Sequence, residues 1–151
     1  MAVTPKWYGL FLQSLGNKEI DMDSDVFKLA LYTNALTANQ DTHRYWDAAP
    51  YTSNQCTGSG YTAGGMTISP GSMAYDAATN RLYFDFADAI WNPLTLTAPG
   101  ARYCVLYDST PASNKPLALY GDLGADQLPS AGVMTIAWSN SPAGVGYLSV
   151  A

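Results

Sequence analysis

Three aspartates at alternate positions, Asp21, Asp23 and Asp25 in the run DMDSD, have the spacing at which a calcium loop converges its carboxylates on a hard cation. Such a loop also turns on a glycine at its sixth position and closes on a glutamate at its twelfth. Here those places hold Val26 and Tyr32, so an EF-hand is excluded. What is left is a solvated turn, or a looser calcium site in which a cation would relieve the repulsion of three carboxylates. The single histidine, His43 in NQDTHRYWD, has acids and serines nearby in sequence. No Gly-x-Ser-x-Gly elbow accompanies it to supply a nucleophile, so His43 reads as a loop residue. Asp85 and Asp88 sit three apart in a strand-like segment, which sends them to opposite faces rather than across one glycosidic bond. The glycine-rich run TGSGYTAGGMTISPG lacks the Lys-Ser/Thr pair of a phosphate loop and misses the dinucleotide spacing by one. No catalytic residue, cofactor site or metal site is assigned, and the chain reads as a non-enzyme.

The elements that would position these residues are mostly strands. Trp7, Leu10, Phe11 and Leu15 form the stripe of a short helix from Pro5, with Thr4 as its cap and Gly16-Asn17 as its stop. Phe27, Leu29 and Leu31 then alternate with Lys28, Ala30 and Tyr32, a half-buried strand. A long polar stretch from Ala35 to Gly65 follows, longer than compact domains ordinarily tolerate without a use for it. Next comes MTISPGSMAYD, expected as one strand that turns through AATN, with Asn80 at positive φ, into RLYFDF. AIWNPLTLT, RYCVLYD, PLALYGDLG, GVMTIAWS (with Met134, Ile136 and Trp138 inward) and GYLSVA complete about eight short strands. The pattern predicts one all-β domain over residues 1–151, a single β-sandwich of jelly-roll or immunoglobulin-like type with a short N-terminal helix. In that frame Gly58, Gly60, Gly64 and Gly65 form a bent lead-in to a strand, anchored by Tyr61.

Composition narrows the function classes. Charged residues are 13% of the chain, about half the usual share, while there are 11 tyrosines. The net charge of −5 and the absence of any Lys/Arg run argue against nucleic acid, whose affinity rests on phosphate neutralisation. No apolar run reaches the roughly 20 residues that span a bilayer, and no cleavable leader is legible, so synthesis in the cytoplasm is expected. Cys56 and Cys104 are expected as two unpaired buried thiols. The tyrosines and tryptophans exceed what one small core absorbs, leaving some to stack on sugars or, more readily, to enter a protein interface.

The segments WYGLFLQSLGNKEIDMDSDVFKLALYT, TGSGYTAGGMTIS and RYCVLYDSTPASNKPLALYGDLG carry a resemblance to a family of small virion structural proteins of tailed bacteriophages, and it extends over nearly the whole chain. Members of that family are labelled head decoration, head fibre or minor tail proteins, and the family brings no catalytic residue with it. The resemblance implies a virion component, and the acidic charge argues against the DNA-filled lumen, so a capsid decoration (cement) protein on the outer surface of the head is expected. Its partner would be the phage major capsid protein, bridged as a homo-oligomer, a trimer before a dimer. A tail or fibre structural protein that touches glycan is the alternative, and an unrelated carbohydrate-binding module the third reading. The expected contact residues are Trp7, Phe11, Tyr45, Trp46, Tyr51 and Tyr61, with Trp46 as the main anchor.

Overall fold

The structure, a computed structural model, describes residues 4–68, 70–137 and 146–149. It is all-β with one short helix. Eleven strands are described: β1 (Thr4–Trp7), β2 (Phe27–Tyr32), β3 (Gly58–Ser59), β4 (Met66–Ile68), β5 (Pro70–Asp76), β6 (Arg81–Phe86), β7 (Ala89–Leu96), β8 (Ala101–Asp108), β9 (Leu117–Gln127), β10 (Gly132–Ile136) and β11 (Gly146–Ser149), with helix α1 (Gly9–Gly16) after β1. They form a five-stranded sheet, β1-β9-β8-β2-β4, and two three-stranded sheets, β10-β7-β3 and β11-β6-β5. Trp138 lies outside the described residues. Among the described residues no helix is long and apolar enough to cross a membrane.

The N-terminus departs from expectation. Thr4 and Pro5 do not open a helix; they lie in β1, antiparallel to β9, with Thr4 opposite Asp122 and Trp7 opposite Leu119. Proline is tolerated there because β1 is an edge strand, where a missing N–H breaks no ladder. The helix starts at Gly9 instead. Its cap residue Tyr8 gives no side-chain bond, and a loop carbonyl, Gln40 O, takes the Gly9 amide at 2.8 Å. The stop at Gly16-Asn17 holds, with the Asn17 amide donating to Gln13 O at 2.9 Å.

One face of the five-stranded sheet makes the sandwich interior. Phe27 meets Phe86 at 5.4 Å between ring centres, and Trp7 packs between Phe11 at 4.6 Å and Phe84 at 5.4 Å. Leu29, Leu31, Cys104, Leu106 and Leu119 are fully buried in the same core. The other face of β2 was expected to meet water, but Ala30 and Tyr32 are just as buried. The long loop covers that face, which makes β2 a strand enclosed on both sides.

Two further differences concern β4 and β5. The segment 66–76 is not one strand: β4 pairs with β2 and β5 with β6, so the chain changes sheets between Ile68 and Pro70. The hairpin that follows is as expected. Asn80 has φ 53°, its Oδ1 accepts from the Tyr75 hydroxyl at 2.9 Å, and Asp76 takes the Ala78 amide at 2.9 Å. Leu82, Phe84 and Phe86 face one way, the last two into the core.

Candidate binding surface

The glycine run is structural. Gly65 has φ 81°, and a Cβ there would overlap the Leu29 carbonyl oxygen; at Gly60, with φ 82°, it would overlap that of Pro93. Only glycine lets the loop close this tightly on β2 and β7. Tyr61 anchors the bend, its hydroxyl accepting from the Leu31 amide at 2.9 Å. Gln55 Oε1 takes the Gly64 amide at 2.7 Å, and the Tyr107 hydroxyl donates to Gly64 O at 2.9 Å.

The tyrosines that one core was not expected to hold occupy a second apolar layer, between the loop and the outer face of the five-stranded sheet. Tyr8, Tyr32 and Tyr51 are fully buried and Tyr107 nearly so. Tyr51 stands edge-on to Tyr8, Tyr32 and His43, with ring centres 6.1, 6.0 and 5.4 Å away. The polar handles close a chain. The Tyr8 and Tyr51 hydroxyls are 2.7 Å apart, Tyr51 Oη lies 2.9 Å from His43 Nδ1, and the Asn39 amide donates to that same nitrogen at 3.2 Å. Because the amide can only donate, Nδ1 is an acceptor, and the proton order runs Tyr8 to Tyr51 to neutral His43. Burial lowers the His43 pKa and raises that of Tyr51 to about 12, so both stay neutral at pH 7. His43 is thus a loop residue with a structural task.

The six aromatics expected at an interface divide accordingly. Phe11 and Tyr51 are interior, so they cannot meet a neighbour. Trp7 is half-buried beside Phe11. Trp46 stacks flat on Tyr107, 4.2 Å away and within 3°, under the Lys115 ammonium at 5.8 Å. Half-buried Tyr45 reaches toward Glu19 at 3.5 Å, and Arg44 pairs with Glu19 at 2.7 Å. Tyr61 is spent on β2. The loop packs on its own sheet.

The aspartates of the DMDSD turn satisfy local amides: Asp21 Oδ1 accepts from Asp23 N at 3.0 Å and Asp25 Oδ2 from Asp21 N at 2.6 Å. Among the described residues no three His, Cys, Asp or Glu side chains gather as a metal set. Asp108 is more unusual. It is fully buried, Oδ1 takes the Thr110 amide at 2.8 Å, and Oδ2 has no hydrogen-bond partner. Burial, with the Asp25 carboxylate beside it, pushes its pKa up to about 6. Cys56 and Cys104 are free, buried thiols pushed up to about 12 by burial, which keeps them unreactive.

Besides the exposed Met73 and Tyr75 of β5, two surface features remain open. On the outer face of β7 and β10, Ile90 pairs with Thr135 and neighbours Val133; with Leu128 they leave apolar side chains 53%, 60% and 54% exposed for Ile90, Val133 and Leu128. On the five-stranded sheet, beyond the reach of the loop's aromatics, lies a 420 Å³ groove lined by Lys6, Asn34, Thr37, Tyr103, Tyr120 and Asp122 together with the apolar Leu36 and Ala38. The register explains it: Lys6 lies opposite Tyr120 and Tyr103 opposite Asp122, so all four share one face. Arg102 bonds both Asp122 oxygens, at 2.6 and 3.3 Å, and with the Gly124 amide holds that carboxyl below the usual range. Tyr103 and Tyr120 were legible as surplus aromatics. Lys6 and Asp122 were not singled out, although the alternation of Tyr120 and Asp122 already places them side by side. The fold and these surfaces define an all-β domain closed by an aromatic loop. No family model, curated protein or solved structure matches this chain.

Proposed function

We propose that the chain is a bacteriophage capsid decoration protein that binds the outer surface of the head and bridges neighbouring major capsid subunits. The observation that carries this reading is the exposure of the apolar side chains of Ile90 and Val133 on the outer face of β7 and β10, with Leu128 lining one depression with Val133. Grouped apolar side chains on an exposed sheet face mark contact surfaces. The motif resemblance supplies the kind of partner, and the net charge of −5 suits a place outside the DNA-filled lumen. A symmetric oligomer, a trimer before a dimer, would multiply modest contacts through a high effective concentration on the lattice.

Quantitative mass spectrometry of separated heads and tails from virions carrying the chain tests this. Recovery with heads, lost in Val133→Asp particles, supports the reading. Recovery with tails overturns it in favour of the second reading, a tail or fibre structural protein. The aromatic and polar groove on the five-stranded sheet is the feature that favours that alternative.

A further inference from the structure

The groove on the five-stranded sheet points to a ligand of its own. Its hydrogen-bonding groups are largely unspent. The hydroxyls of Tyr8, Tyr32, Tyr51, Tyr61 and Tyr107 all have protein partners. Among the described residues those of Tyr103, Tyr120 and Thr37 have none, and the Lys6 ammonium makes no ion pair; all four line one groove. Tyr120 is braced from behind by Tyr8, ring centres 5.3 Å apart, and Tyr103 carries Arg102 at 5.9 Å. Two half-buried rings are therefore held in place with part of their surface toward the cavity. Asn34 is steadied by a 2.8 Å bond to Asp126, and Asp122 by Arg102. Pre-set side chains of this kind cost little entropy on binding.

Charge decides the ligand class. Lys6 and Arg102 are offset by Asp122 and Asp126, so the groove gives neither an anion nor a cation a net field. Its lining sets hydroxyl, amide, ammonium and carboxylate groups with two aromatic rings beside the apolar Leu36 and Ala38, a mainly polar set that disfavours a lipid tail. A neutral polyhydroxylated ring matches: its C–H face lies on tyrosine, and its vicinal hydroxyls take donors and acceptors together. The 420 Å³ volume falls in the range of small-ligand sites.

We infer that this groove is a binding site for a neutral saccharide, with Tyr103 and Tyr120 as stacking platforms and Lys6, Asn34 and Asp122 reading its hydroxyls. The site stands apart from the apolar patch on β7 and β10, so it holds whether the chain decorates a head or a tail.

The test is a printed array of neutral and charged glycans probed with the folded chain, followed by amide-shift titration with the best neutral saccharide and with maltose, cellobiose and N-acetyllactosamine at up to 20 mM. Saturable shifts at Tyr103, Tyr120 and Asn34 are expected. Tyr103→Ala and Asp122→Asn should each weaken binding at least tenfold, whereas Tyr103→Phe, which keeps the ring, should lose no more than about threefold. Tyr103→Phe also serves if Tyr103→Ala fails to fold. No saturable shift with any of these saccharides, shifts confined to other faces, or binding only by sulfated or phosphorylated glycans would overturn the inference.

Discussion

Replacing Tyr51 with Phe tests whether the loop is held by its buried hydroxyl chain. The substitution keeps the ring and its edge contacts to Tyr8, Tyr32 and His43. It removes the oxygen that accepts from Tyr8 at 2.7 Å and donates to His43 at 2.9 Å. His43 Nδ1 keeps the Asn39 amide, but the fully buried Tyr8 hydroxyl is left with no partner. A buried hydroxyl stranded in this way costs about 1–3 kcal/mol, so a loss of about 2 kcal/mol is expected, or a Tm lower by about 4–8 °C. Urea unfolding and scanning calorimetry measure it. Tyr8→Phe in the same background removes both partners, and the double variant should regain part of the loss. A change below about 0.5 kcal/mol for Tyr51→Phe, or a double variant no better than the sum of the singles, would refute the chain. Acid should act on the same link. The depressed His43 pKa gives stability that is complete above the unfolded value of about 6.5 and is lost as pH falls through the folded one.

Asp108 has the opposite sign: its raised pKa contributes stability below about 4 that is lost as pH rises through about 6, so Asp108→Asn should gain about 1 kcal/mol at pH 8 and little at pH 4, read by urea titration at both pH values. Trp46→Ala opens a stacked, half-buried contact on Tyr107 and should cost the isolated domain about 2 kcal/mol, measured by thermal melting; an unchanged Tm would mean the stack contributes nothing. Gly65→Ala forces a Cβ onto the Leu29 carbonyl at positive φ and should lower soluble yield and Tm more than Gly124→Ala, where φ is also positive but the space is open. Thiol titration should count two free groups in denaturant and none reacting quickly in the native state, with a count of zero in denaturant refuting the free-thiol assignment.

Alternation carried most of the fold. β6, β7 and β10 announce their buried faces through Phe84 and Phe86, Leu94 and Leu96, Met134 and Ile136, because a period of two survives wherever one face meets the core. β1 was hidden because Trp7 and Phe11 fit a helical stripe as readily as the strand-to-helix step they actually make, and Pro5 reads as a helix start unless its edge position is known. The tyrosine layer was hidden for a different reason. Tyr8, Tyr32 and Tyr51 lie far apart in sequence, and only the folded loop brings their hydroxyls together. The groove needed the β1–β9 and β8–β9 registers, which set Lys6 and Asp122 beside the two visible tyrosines.

The pairing of β1 with β9 also sets an order of events during synthesis. Trp7 is made long before its neighbour Leu119. At about 5–20 residues per second, β1 waits several seconds for the strand it pairs with. The same delay applies to Tyr8, whose amide donates to Ala118 O. Closure of the β1 edge therefore waits until β9 has been made. A strand that closes last from the N-terminal side is also the segment a neighbouring copy can supply in its place, so domain exchange through β1 is the characteristic misassembly to look for at high expression.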